Sequence, residues 1–135
     1  MTHAAMMLET YPADLGGVDR DALADCIRAC VDCAQACTAC ADTCLSEQDV
    51  ADLRKCIRSD LDCADLCEVT ARVLSRHTGY DAHLTRAVLE ACATACKSCG
   101  DECARHGEMG MRHCETCAQA CRRCERACRE LLATL

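Results

Sequence analysis

Cysteine recurs along this chain at the spacing of a helical turn, and that regularity restricts the fold more than any other feature. Cys26, Cys30, Cys33, Cys37, Cys40 and Cys44 are separated by 4, 3, 4, 3 and 4 residues, which keeps six sulfurs on one helix face. Cys114, Cys117, Cys121, Cys124 and Cys128 repeat the pattern, and Cys92, Cys96, Cys99 and Cys103 form a third stripe. A sparser fourth holds Cys56, Cys63 and Cys67, with Asp60 in the place of the missing cysteine.

Turn and cap signals fall between the stripes. Gly16 and Gly17 precede Asp19, a candidate N-cap; Ser46 and Asp49 resemble a capping box; Gly79 and Gly107 are each able to end a helix. These signals predict helices over roughly 19–45, 47–77, 81–106 and 108–133, with a short extra helix ended by Pro12. Connections this short make neighbouring helices antiparallel. The expected fold is therefore all-α, a single domain over 1–135 forming an up-down-up-down four-helix bundle with its cysteine faces turned inward.

Other function classes find little support. A net charge of -7 with no basic stripe, and only Tyr11 and Tyr80 to stack on bases, argues against nucleic acid. The stretch from Ala29 to Ala41, the poorest in charge, is broken by Asp32, so no membrane span is expected. The first residues, with His3 and Glu9, lack the basic and apolar regions of a secretion signal, which predicts a cytoplasmic protein with reduced thiols. No nucleophile, base and orienting partner can be assembled in a polar pocket, so catalysis is not expected.

Eighteen reduced cysteines on helix faces point to metal. Leu, Ile and Val together number 21, and Phe and Trp are absent, so ordinary hydrophobes are scarce. The metal-free alternative is a core of small buried thiols, but four narrow cysteine layers leave cavities that natural interiors fill. Thiolate is a soft ligand that suits Cu(I), Zn(II) or iron–sulfur clusters. Cu(I) accepts two or three thiolates, so overlapping pairs at i, i+3 and i, i+4 hold ions at every step of a stripe. Zinc usually gathers four ligands at one point. Neutralising the buried thiolates takes about one monovalent ion per sulfur, or on the order of eighteen to twenty Cu(I). The alternatives are a metallothionein-like zinc reservoir, an iron–sulfur carrier and a thiol–disulfide redox buffer.

These repeated Cys-x-x-x-Cys and Cys-x-x-Cys units on four consecutive helices resemble the cytosolic copper storage protein family across nearly the whole chain. The resemblance implies a four-helix bundle, a thiolate-lined interior filled with Cu(I) clusters, and a homo-tetramer. Ile27, Val31, Ile57 and Leu61 flank the stripes and offer surfaces where another chain can sit. A copper chaperone or a small thiol carrier is the expected donor.

Antiparallel threading gives the bundle two unlike ends. Leu23, Leu74, Leu84, Val88, Leu89, Leu131 and Leu132 collect at one end as an apolar plug. Cys44, Cys56, Asp60, Cys103, His106, Met109, Met111, His113 and Cys114 collect at the other, which is read as the mouth. The candidate metal ligands are all eighteen cysteines with Asp60, His106, Met111 and His113. His106 extends the third stripe. His113 is either a ligand or a solvent-facing neighbour of Cys114, and Met111 either a ligand or core filler. Asp60 either meets a cation or sits in a wet mouth. His77 and His83 are read as surface residues.

Overall fold

A computed structural model describes the whole chain, Met1–Leu135. Its helices are α1 (His3–Glu9), α2 (Arg20–Leu45), α3 (Arg54–Leu74), α4 (Ala82–Glu108) and α5 (Arg112–Thr134), with a 3₁₀ turn at Val50–Leu53 before α3. The four long helices form a ring in which each packs on the next and α5 returns to α2, while diagonal pairs meet only through side chains. The fold is the expected antiparallel four-helix bundle with a short N-terminal helix. No helix is long and apolar enough to cross a membrane.

Local chemistry sets the boundaries. The Asp19 carboxylate accepts from the Ala22 N–H at 3.0 Å, and Asp81 accepts from His83 and Leu84 at 3.0 and 3.1 Å. Both satisfy backbone donors that a helix start leaves free. The segment from Ser46 behaves differently from its sequence signal. Ser46 is the C-cap of α2, and the helix predicted from 47 begins only at Arg54, because the 3₁₀ turn first tucks Leu53 fully into the core.

Gly107 was the expected terminator of the third long helix, yet α4 runs through it and the turn comes at Gly110, with φ +95°. Gly107 serves packing instead. A Cβ there would lie 3.1–3.2 Å from the backbone of Glu115 on α5. One at Gly100, seven residues earlier, would meet the Cys121 Cβ at 3.3 Å and the Arg122 guanidinium at 2.9 Å. The two glycines let α4 and α5 approach closely.

All eighteen cysteines are buried, none more than 2 % exposed. At the N-terminal end of α2, Leu23, Leu74, Leu89 and Leu131 close the core, joined by Thr70, whose hydroxyl donates to the Leu66 carbonyl at 2.7 Å. Leu84 turns outward and is 53 % exposed, while Val88 and Leu132 are half-buried, so the plug is smaller than the sequence suggested. Helix α1 buries Leu8 against this assembly, and the Tyr11 hydroxyl meets that of Thr78 at 2.9 Å. Outside, Arg122 pairs with Asp101 at 2.7 Å and Arg123 with Asp32 at 2.8 Å, linking α5 to both neighbours. Such exposed pairs are screened by solvent and contribute little to stability.

Gly107→Val is expected to destabilise the reduced apoprotein by about 1–3 kcal/mol, since the Glu115 backbone has little room to retreat. Urea unfolding followed by circular dichroism reads this; an unchanged midpoint would mean that the helices separate freely there.

Candidate metal centre

The stripes converge because every long helix turns one face inward, and the core is only about one sulfur layer wide. Cys37 on α2 reaches Cys99 on the diagonal helix α4 at 4.0 Å, and Cys67 on α3 reaches Cys124 on α5 at 3.9 Å. Within helices, Cys33–Cys37, Cys63–Cys67 and Cys99–Cys103 stand 3.8–3.9 Å apart. The shortest cross-helix contact is Cys67–Cys96 at 3.6 Å. Near the plug, Cys26 meets Cys128 at 3.8 Å.

These spacings have a coordination meaning. With a metal–sulfur bond of about 2.3 Å, ligand sulfurs lie about 3.8 Å apart around a tetrahedral ion, about 4.0 Å around a trigonal one and about 4.6 Å around a linear one. The resting sulfurs therefore sit close to the three- and four-coordinate distances. Sets such as Cys33/Cys67/Cys96/Cys124, Cys33/Cys37/Cys63/Cys121 and Cys37/Cys99/Cys117/Cys121 each converge within 4.8 Å. They share Cys33, Cys37 and Cys121, so adjacent ions would be bridged by common thiolates. The geometry favours a polynuclear cluster over isolated sites.

All eighteen thiols feel burial as an influence that raises their pKa. At the α2 C-terminus, burial and then the nearby Cys56 push Cys44 up to about 11. Deeper in, hydrogen bonding divides the thiols: Cys37 is raised chiefly through Cys117, and Cys33 lowered chiefly through Cys121. Thiols this close cannot all ionise in a low-dielectric interior without cations among them. The apo core is thus neutral, and each arriving cation displaces protons.

Asp60 lies in the sulfur layer, fully buried, and is no solvated residue of a wet mouth. Its Oδ1 accepts from the thiols of Cys99, Cys103 and Cys117 at 3.1, 3.3 and 3.4 Å, while Oδ2 has no partner. Burial, followed by the charge of Cys117, pushes its pKa up to about 8. The carboxyl there keeps its proton while the core is metal-free and can meet a cation on releasing it.

The remaining candidates cluster at the end where α2 and α4 finish and α3 and α5 begin. His106 is buried, with Nδ1 enclosed and unpartnered. The His113 side chain is 21 % exposed, and its Nε2 lies 3.5 Å from the Cys44 sulfur, in a group with Cys40, Cys44 and Cys114. Met111, the N-cap of α5, packs half-buried against the core. Met109 points outward, 63 % exposed, away from this group. The cysteines here are all covered, so His113 and Met111 are the candidate ligands nearest to solvent. His83 is exposed and His77 packs edge-on against Tyr11 with ring centroids 5.3 Å apart, well away from the sulfurs. Sequence reasoning missed Glu102, a buried carboxylate held by Arg105 and Lys55. Its position four residues before His106 was the available signal.

Residues 19–133 match the family model described as copper storage protein. A copper storage protein from Streptomyces lividans, solved loaded with 10 copper equivalents, is 70% identical, covering 98% of this chain and 99% of its own, with a TM-score of 0.96. A structure of copper loading to a cytosolic copper storage protein from the same organism, with five coppers, is 71% identical over 89% of this chain and 99% of its own, with a TM-score of 0.86. The Cu(I)-bound copper storage protein BsCsp3 is 37% identical, covering 78% of this chain and 93% of its own, with a TM-score of 0.69. None of the curated proteins matches the chain.

The electrostatics of Asp60 set a pH dependence. Its folded pKa, about 8, lies above the ordinary value of 3.8, so the folded chain keeps a proton that the unfolded chain releases between those limits. Stability from this residue is complete below the unfolded pKa and falls as pH rises towards 8. Asp60→Asn should flatten the decline between pH 5 and 7.5 and stabilise the reduced apoprotein at pH 7.5 by about 1–3 kcal/mol. Parallel urea curves for the two proteins across that range would contradict the assignment.

Proposed function

The chain belongs to the copper storage protein family, and from that premise we propose that its bundle stores Cu(I) as thiolate-bridged clusters along the whole core, in the cytosol. The observation that carries this reading is the shared-sulfur geometry. Eighteen buried free cysteines stand at coordination distances in overlapping sets, within a chain 70% identical to a protein solved with copper bound. Zinc, iron–sulfur and disulfide readings draw no support from the relatives.

The proposed ligands are the eighteen cysteines together with Asp60, His106, His113 and Met111. Copper enters beside His113, the accessible nitrogen donor, and moves inward from Cys44 and Cys114. Imidazole and thioether bind Cu(I) without losing a proton at neutral pH, whereas a thiol must release one. The outer ligands can therefore receive an ion from a chaperone or a small thiol carrier before the deeper thiols ionise. The leucine plug opposes entry at the other end, because a cation there loses hydration and gains no ligand. The role is sequestration, with catalysis no part of it.

Half-exposed apolar side chains, Val31 at 44 % and Leu61 at 47 %, lie on α2 and α3 outside the core. They supply surface for the homo-tetramer that the family resemblance suggests. Light scattering of dilute protein that gives the mass of one chain would remove the tetramer.

Anaerobic titration with Cu(I) against a chromophoric chelator should saturate at about eighteen to twenty ions per chain, with close to one proton released per ion. A variant carrying His106→Ala, Met111→Leu and His113→Ala should keep all but a few of these ions yet load and unload more slowly. Saturation below about ten ions would overturn the filled core, and unchanged rates in the variant would overturn the entry route.

A further inference from the structure

Glu102 has no place among the sulfurs, yet it is 7 % exposed, rare for a glutamate in a domain this small. Its cost is offset on two sides. Arg105 grips Oε1 from the next turn of α4, and Lys55 at the start of α3 lies 3.9 Å from Oε2. Oε1 also faces His106 Nε2 at 3.9 Å, one small side-chain adjustment from a hydrogen bond. The opposite ring nitrogen, Nδ1, is sealed from solvent without a partner, and the ring borders the Cys56 thiol.

We infer that Glu102 is a positioning residue: its anchored carboxylate orients the His106 ring with the proton on Nε2, leaving Nδ1 as a preset donor atom for Cu(I) at the inner edge of the mouth. The inference rests on the reading that His106 receives copper. A metal-binding imidazole is held in one tautomer and orientation by the group that takes its other N–H, and a carboxylate is a strong acceptor for that purpose. The enclosed, unpaired Nδ1 is the second observation. A buried ring nitrogen left without a hydrogen bond is costly unless a further ligand occupies it. Arg105 and Lys55 hold the carboxylate in place, so that it does not itself turn inward to the ion.

The alternative is a staple, in which Glu102 merely ties Lys55 of α3 to α4. A double-mutant cycle separates the two roles. The reduced protein, its Glu102→Gln, Glu102→Ala and His106→Ala variants and the double variants are loaded anaerobically with substoichiometric Cu(I) from its bicinchoninate complex. Loading rates are read beside urea midpoints. Glu102→Gln keeps size and fold while removing the charge, and should slow loading or weaken retention on the order of tenfold. The effect should vanish in the His106→Ala background. An equal effect of Glu102→Gln in both backgrounds, or none in either while His106→Ala alone slows loading, overturns the positioning role and leaves His106 as a ligand. If His106→Ala loads at the rate of the parent, the reading of His106 falls and this inference with it. Nitrogen-15 spectra of the apoprotein give a copper-free check. The His106 ring should be a single Nε2–H tautomer in the parent, and a neutral ring protonated on Nδ1 in the parent would also overturn the proposal.

Discussion

Burying eighteen thiols in one narrow core is tolerable only while that core stays neutral, and most properties of the molecule follow from this condition. Without metal, the thiols remain protonated and pack as small hydrophobes, sulfur against sulfur at 3.6–4.0 Å. With metal, each thiolate charge is matched by a cation, so capacity is tied to the number of sulfurs. Asp60 is the exception that fits: placed where a nineteenth inward sulfur would stand, it keeps its own proton by burial and accepts from three thiols.

Small core residues also dictate the packing. Because cysteine is short, the helices must approach closely for their stripes to meet across the diagonal. Gly100 and Gly107 permit this on the α4–α5 side, where a Cβ would press on Cys121 or on the Glu115 backbone. A core so thin has little apolar bulk, and Leu23, Leu74, Leu89 and Leu131 supply it at one end while Leu53 supplies it near the other. The division leaves an uninterrupted column for metal between them.

The proposed mouth combines graded exposure with graded chemistry. His113 is reachable from solvent and touches Cys44; His106 is sealed behind it; Asp60 lies among the first deep sulfurs. On the proposed route an ion would exchange neutral donors for thiolates, and the charged shell of Glu102, Arg105 and Lys55 stays outside the sulfur column.

The sequence by itself determined the stripes, the antiparallel bundle and the soft-metal chemistry, because a 4–3 repeat of one residue type has the same meaning on any helix. It also pointed to Asp60, which breaks a stripe, and to the histidines that extend or adjoin one. Tertiary structure decided what a one-dimensional period cannot carry. Gly107 looked like a terminator because glycine ends helices, but contact with α5 gives it a packing role within α4. Ser46 and Asp49 looked like a helix start, but burial of Leu53 imposes a 3₁₀ turn first. Leu84 and Met109 carried the right side chains for plug and mouth yet face outward, since near a helix end a small shift in phase changes which side meets the core. For Glu102 the i, i+4 spacing to His106 was legible, but its burial and the contact with Lys55, 47 positions away, came only with the packing of α3 on α4. The repeat fixes which residues share a face, and only the packing of four faces sets which atoms meet.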